Sequence, residues 1–345
     1  MRLIELEENI KKVNTPHIIS VLQSIEFLRG KTFDLPKMKK TNRLHAYSKR
    51  KSTTSSNAIE GIKVSKLREK ELLDKGMDPS TYEDHMVVGY NKALEYIFDN
   101  YDEPLTVDFI CRLHSLMYSS FNPEFGGRFK QEQNYIKEIN DRGEVRIVFT
   151  PVSPRDTSNT MENLVYQYQL CASNPFIPKL LLIPVFILDF LCIHPFDDGN
   201  GRVSRLLTTY LLTKFDYKID QYYSLSYVVL NTIDEYYKSL EKSDHNWKEG
   251  NNDYSYFVIY FLKTIVNAYK KLDYIIDVNN EKLRAIDKVY KVIKDNHCPT
   301  SKSDIEEVLY LYSRNTIEAS LKSLVKDNKI RLIQKGHYSL YKIVY

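Results

Sequence analysis

The twelve residues His194-Pro195-Phe196-Asp197-Asp198-Gly199-Asn200-Gly201-Arg202-Val203-Ser204-Arg205 interrupt the most hydrophobic stretch of the chain. An apolar run with helical spacing fills 180–193, and a second opens at 203, so the segment between them forms a tight loop that leads into a helix start. Gly199 and Gly201 leave the main chain uncovered and, with Asn200, tolerate left-handed backbone angles. Free N–H groups at the next helix start, and the positive end of its dipole, then face the same way. Such a place binds an anion, phosphate above all.

The surrounding residue types are those that nucleotide chemistry uses. Arg202 and Arg205, three apart on the new helix, carry guanidinium forks that suit phosphate oxygens. Asp198 offers one hard carboxylate, enough for a magnesium ion whose other positions are filled by water and phosphate. His194, with an ordinary pKa near ~6.5, can stand neutral and take a proton from an attacking hydroxyl. A His-Pro at a helix end and a DGNG surface turn are each commonplace alone; their order and their place between two helices give them weight together.

The segment matches, at every fixed position, the signature H-x-F-x-[D/E]-G-N-G-R-x-x-R of the Fic family, which the chain resembles. The resemblance implies an enzyme that transfers AMP from ATP, with magnesium, to a Tyr, Ser or Thr hydroxyl of a target protein or of itself. By motif position it implies His194 as general base, Phe196 as an apolar anchor and Asp198 as magnesium ligand. It also implies Gly199, Asn200 and Gly201 as anion cradle, with Arg202 and Arg205 on the phosphates. Asp197 receives no role.

A second segment, Ser56-Asn57-Ala58-Ile59-Glu60-Gly61, reads physically as the last turn of a helix stopped by Gly61, with Ser56 and Glu60 on one face. Beside the signature it is similar to the family's inhibitory motif [S/T]-x-x-x-E-[G/N]. The resemblance implies that Glu60 reaches Arg205, occupies the guanidinium meant for the γ-phosphate, and holds the enzyme down.

Three helical segments, 65–75, 86–101 and 106–119, lead to a change of pattern. Residues 134–136 and 145–149 flank Asn140-Asp141-Arg142-Gly143, a hairpin turn with glycine at its favoured position. The family's flap is such a hairpin, so Asn134, Tyr135 and Ile136 are expected to dock the target as an added strand. His114, at core spacing, is expected to pack. Tyr236-Tyr237, in a helix at 231–240, would place one ring in the core and one at a ligand edge, and by resemblance the pair is expected near the adenine.

With 345 residues and a net charge of +4, the chain can hold two or three domains without declaring an affinity for polyanions. The basic stretch 37–51 carries seven Lys or Arg and one Tyr, a pattern of a solvated face. Cys111, Cys171, Cys192 and Cys298 show no metal spacing and fit reduced thiols of a cytoplasmic protein. The first twelve residues are charged and lack an apolar core, so no signal peptide is expected there, and the run 180–193, broken by Pro184 and Asp189, falls short of the ~20 residues a bilayer requires.

Near the C-terminus, helices at 285–295, 302–309 and 314–326, the last with Ile317, Leu321, Leu324 and Val325 inward, precede strands at 330–334 and 338–344 that close on Lys335-Gly336. Three helices and a hairpin form a winged-helix arrangement. From 301 to 345 there are eight Lys or Arg against five Asp or Glu, too even a balance to single out DNA over protein docking or a homodimer contact.

The expected architecture is therefore mainly α: an N-terminal helical region with the inhibitory helix over 1–80 and a Fic-type bundle with its flap over 81–250. A connecting helix with a linker at 277–281 fills 251–281, and a winged helix 282–345. Two alternatives stay open: transfer of another nucleotide or phosphate group by the same site, and a DNA-binding regulator whose Fic site is sensory or vestigial.

Overall fold

A computed structural model describes residues 4–32, 41–139, 144–334 and 339–344. By internal contacts the chain divides into one unit made of 1–27 with 48–268 and another made of 28–47 with 269–345.

The first unit is helical. Leu6–Val13 (α1) packs its buried face on later helices, and Pro16 opens Pro16–Lys31 (α2), where its missing N–H costs nothing. Thr41–Ile59 (α3) ends at Gly61, which takes the left-handed conformation, φ 79°. Lys66–Leu73 (α4), Tyr82–Asp99 (α5) and Val107–Tyr118 (α6) start on Ser65, Thr81 and Thr106, whose hydroxyls accept from backbone N–H groups of the first turn. Such caps contribute about 1 kcal/mol each. Thr81 also explains why α5 begins four residues before its apolar pattern does: Glu83 and Asp84 favour the positive end of the dipole.

Ile136–Ile139 (β1) and Val145–Phe149 (β2) pair antiparallel, Lys137 opposite Ile147, with a register break beside Ile136. The expected turn at Asn140-Asp141-Arg142-Gly143 lies outside the described residues. Pro154–Ser173 (α7) and Lys179–Ile193 (α8) follow. Every residue from Leu180 to Phe190 in α8 is buried, which is why its pattern is apolar all round. The one charge there, Asp189, accepts from Trp247 Nε1 and Tyr254 Oη, both at 2.6 Å. Asn200–Lys214 (α9) leaves the loop after α8, and the short Ile219–Tyr222 (α10) and Leu225–Asn231 (α11) precede Ile233–Asp244 (α12). α8 lies at the centre, packed by α1, α7, α9 and α12, while α5 and α6 cover α9 from the other side.

Ser255–Asn280 (α13) is a single helix of 26 residues that includes three of the four residues after Asp277 expected to form a linker. Its charged end misleads because Ile275, Ile276 and Val278 are buried on the opposite face. The boundary between the two units accordingly falls at Ala268/Tyr269, not at 281.

In the second unit, Ala285–Asp295 (α14), Thr300–Ser301 (β3), Lys302–Val308 (α15), Arg314–Lys326 (α16), Ile330–Gln334 (β4) and Leu340–Ile343 (β5) surround a core of Val289, Val292, Ile305, Ile317, Leu321 and Leu324. The antiparallel sheet runs β3-β5-β4, with Thr300 opposite Tyr341 and Ile330 opposite Ile343. β3, too short for a sequence pattern, closes the sheet, and Ser301 and Asp304 then cap α15 reciprocally. Val325 is 40% exposed, not inward, because it falls about 80° round α16 from Ile317. Lys335, Gly336 and Tyr338 lie outside the described residues.

Candidate active site

The loop between α8 and α9 begins with a break in helical geometry. His194 caps α8 in the left-handed conformation, φ 52° and ψ 60°, which costs a non-glycine residue about 1 kcal/mol or more. Its ring Nδ1 lies 3.2 Å from Leu191 O. A carbonyl only accepts, so Nδ1 carries the hydrogen and Nε2 keeps its lone pair for a proton. Burial lowers the pKa of His194 to about 4; the Leu191 carbonyl, Glu60 and Asp198 work against this and Lys130 with it. The imidazole is thus neutral at neutral pH.

Phe196 is fully buried and stacks on His114, ring centroids 4.0 Å apart and 4° from parallel. His114 donates from Nε2 to Asp198 O at 3.0 Å and accepts at Nδ1 from Gly127 N at 2.8 Å. Burial holds its pKa near 4, so this tautomer persists. His114 packs, but what it packs is the loop itself. Asn200 closes the loop from within: its Oδ1 accepts from Phe196 N at 2.9 Å and its Nδ2 donates to Phe196 O at 2.7 Å. Only the backbone of Asn200 is left to an anion. Gly199, φ 84°, is the N-cap of α9 and supplies no side-chain cap, so the first N–H groups of that helix are offered outward.

Asp198 Oδ2 accepts from Tyr118 Oη at 2.5 Å and from Arg202 Nη2 at 2.8 Å. Burial pushes its carboxyl up, but Arg202, Tyr118 and the Gly199 N–H outweigh it and hold the group ionised below its ordinary value. The described residues contain no cluster of three or more metal-binding side chains. One half-exposed ionised carboxylate suits magnesium completed by phosphate and water, and does not make an all-protein cage.

The two arginines part company. Arg202 is 1% exposed and committed to Asp198, to Tyr118 Oη at 2.8 Å and to Met86 Sδ at 3.0 Å. Arg205 instead meets α3: Nε donates to Ser56 Oγ at 2.8 Å, and Nη2 to Ser56 O at 2.9 Å and to Glu60 Oε1 at 2.7 Å. Gly201 makes this approach feasible, because a Cβ there would collide with Glu60 Oε1. Beside Arg205 lies a pocket lined among others by Ser204, Thr208, Tyr236, Phe257 and Tyr260. Tyr236 is buried and Tyr237 is 48% exposed.

Asn134 precedes β1 and turns its side chain to the loop, donating to His194 O at 3.1 Å and Phe196 O at 3.0 Å. Of the three residues expected to meet a target, Tyr135 is exposed and Ile136 is paired with Phe149. Sequence reasoning missed Tyr118 and Lys130, and gave Asn134 a different task. For Tyr118 a signal was available, four residues after His114 on α6 and so on the same face; Lys130 and Asn134, outside any helix, offered none.

Residues 104–212, from the start of α6 through the hairpin and loop into α9, match the model of the Fic/DOC family. The chain is similar to "Protein adenylyltransferase Fic" of Nematostella vectensis, 24% identical over 55% of this chain and 42% of that protein. It is 30% identical to the protein of that name from Aedes aegypti, over 47% of this chain and 32% of the relative. The chain thus spans less than half the length of these curated relatives. Among solved structures it shares its fold with a Fic family protein from Desulfovibrio desulfuricans G20, at TM-score 0.64 and 20% identity over 96% of each chain. A fragment of Fic-1 from C. elegans gives TM-score 0.54 and 21% identity over 74% of this chain and 71% of that one. Ser56, Glu60, Tyr236 and Tyr237 fall outside the matched residues; what the match does cover is the whole loop, and over 104–212 the chain carries a domain of the Fic/DOC family.

Proposed function

We propose that the chain is a protein adenylyltransferase, restrained by its own helix α3. The observation that carries the reading is His194, a neutral imidazole with Nε2 unprotonated, standing at a glycine-lined helix start that offers N–H groups to phosphate. Nε2 takes the proton of a target Tyr, Ser or Thr hydroxyl, and the hydroxyl oxygen bonds to the α-phosphorus of ATP. The bond from that phosphorus to the β-bridging oxygen then breaks, and pyrophosphate leaves. Asp198 would hold a magnesium ion arriving with the triphosphate, which supplies charge neutralisation on the phosphates. Backbone N–H groups of Asn200 and Gly201 cradle the phosphates, while that of Gly199 stays with the Asp198 carboxylate. Arg202 acts chiefly by keeping Asp198 in place, and Arg205 takes the γ-phosphate once Glu60 releases it. The pocket beside Arg205 is lined by the aromatic rings of Tyr236, Phe257, Tyr260 and Phe261, in keeping with adenine beside Tyr236, and Tyr237 follows it at the exposed edge.

Tyr135 and Ile136, on the hairpin, are read as the strand edge that receives the target, which includes this chain's own tyrosines. The second unit is read as a winged helix that docks protein, a second copy among the candidates. The four cysteines are free thiols, in keeping with work in the cytoplasm, where ATP is at hand; no helix among the described residues is long and apolar enough to cross a membrane.

The test is purified wild-type and Glu60→Gly protein incubated with magnesium and ATP labelled at either the α- or the γ-phosphate. The expected result is α-label on protein, stronger in the variant, with no γ-label. Label from the γ-phosphate would turn the reading to phosphorylation, and absence of both together with tight sequence-dependent duplex binding would turn it to a DNA-binding regulator.

A further inference from the structure

Four successive carbonyl oxygens carry the chain through the turn at the end of α8, and two residues ahead of the hairpin take all four. Lys130 donates through its backbone N–H to Pro195 O at 2.9 Å and through Nζ to Ile193 O at 3.1 Å. Asn134 Nδ2 donates to His194 O at 3.1 Å and to Phe196 O at 3.0 Å. Lys130 Nζ also donates to Asn134 Oδ1 at 2.9 Å, which fixes the amide so that its NH2 faces the two carbonyls.

The Lys130 side chain is 1% exposed, and both hydrogen-bond acceptors of its ammonium are neutral oxygens. Burying a cation against such acceptors is costly, and an apolar side chain of similar length would fill the space at less expense. What the ammonium and amide supply, and an apolar pair could not, is donors for a backbone held in a left-handed turn.

Resting on the reading of His194 as the base, we propose that Lys130 and Asn134 are positioning residues that hold His194 in its left-handed backbone conformation and so aim Nε2 at the phosphate cradle. Asn134 stands two residues before β1, so the pair also ties the base to the root of the hairpin.

The test compares Asn134→Leu, Lys130→Met and Lys130→Arg, each in the Glu60→Gly background, after thermal melts and ATP titration show that they fold and bind. The two apolar variants should lose about 10²-fold in kcat, the scale of a small misplacement of a reacting group, with KM for ATP changed less than about twofold. Arg, which can still donate to both oxygens, should recover most of the loss. An unchanged kcat, or a rise in KM alone, overturns the proposal.

A second readout needs no activity: ring NMR of His194. Lys130 lowers its titration midpoint, while Glu60 and Asp198 raise it. In one background Lys130→Met should move the midpoint up, and Asn134→Leu should shift the ring resonances. If Glu60→Gly transfers no AMP, the base assignment falls and these spectra alone judge the positioning. Ring spectra identical to those of the parent would mean that the pair merely packs.

Discussion

At the scale of single residues the loop is a set of groups whose protonation is fixed by where they lie. On the proposed reading, His194→Ala removes the acceptor for the hydroxyl proton without touching a phosphate contact. Transfer should fall by roughly 10²–10⁴-fold while ATP affinity, measured by calorimetry, stays within about twofold; comparable transfer in the variant would mean that the base is another group. Because burial holds the His194 pKa near 4, the imidazole stays neutral far below the usual histidine range, and the proposed base stays available there. The profile of kcat/KM should therefore be flat from pH 8 to about pH 5 and decline only as pH drops toward 4; an acid limb near 6.5 would contradict the structure. His114 gives a linked effect on stability. Its folded pKa of about 4 lies below the unfolded value, so between these values the unfolded chain binds the extra proton and stability falls as pH falls. From pH 7 to 5 this single group should cost about 2 kcal/mol, seen as a urea midpoint that drops less in His114→Gln than in wild type. That His194 and Asp198 meet in one loop was legible, because their types and order belong to one motif. The place of Asn134 was not, because an asparagine beside a strand reads the same whether its amide points to solvent or to a neighbouring backbone.

At the scale of elements, α3 is the piece on which the proposed restraint depends. It meets the helices around α9 through a ladder of serines one turn apart: Ser48 Oγ donates to Asp220 O at 2.8 Å, Ser52 Oγ to Ser224 Oγ at 2.8 Å, and Ser56 accepts from Arg205. Polar seams of this kind contribute about 1 kcal/mol per neutral contact, less than apolar burial of the same length, and leave the charged Glu60–Arg205 contact as the strongest single bond. Charge-assisted bonds are worth about 1.5–3 kcal/mol, so Glu60→Gly should raise the fraction of Arg205 free for phosphate, and with it self-labelling, by about 10- to 100-fold. Labelling equal to wild type would remove α3 from the regulation. The stop of α3 at Gly61 can be read from the chain, since the glycine takes a positive φ. What could not be read is that Glu60 Oε1 comes to lie where a Cβ on Gly201, 140 residues after Gly61, would stand. The end of α13 was misread for the converse reason: Asp277, Asn279 and Asn280 look like a linker in one dimension, yet Asn279 Nδ2 donates to Val308 O at 2.6 Å and Val278 belongs to a core.

At the scale of the whole chain, the question is whether the second unit reads nucleic acid. Its order of three helices and an antiparallel sheet would allow α16 to enter a major groove. Affinity for a duplex, however, comes first from unpaired cations along the presented face. Two of the cations available near α16 are already engaged: Lys302 Nζ lies 2.5 Å and Arg314 Nε 3.0 Å from the same carboxylate oxygen of Glu318. Glu318 is held ionised, its pKa lowered to about 2 by those two partners, so at neutral pH it presents a negative charge on the helix that would have to approach phosphate. Exposed pairs of this kind are weak, but opening them for DNA exchanges one carboxylate contact for another anion and releases few counterions. The full chain should therefore bind random and candidate operator duplexes alike, with dissociation constants in the non-specific range of about 10⁻⁴–10⁻⁶ M near physiological salt, by fluorescence anisotropy. Glu318→Gln should tighten that binding without creating a sequence preference, since it frees cations and adds no group aimed at base edges. A site-specific constant near ~10⁻⁸ M in the wild-type chain would instead make the second unit a reader of DNA and the Fic/DOC domain its regulated companion.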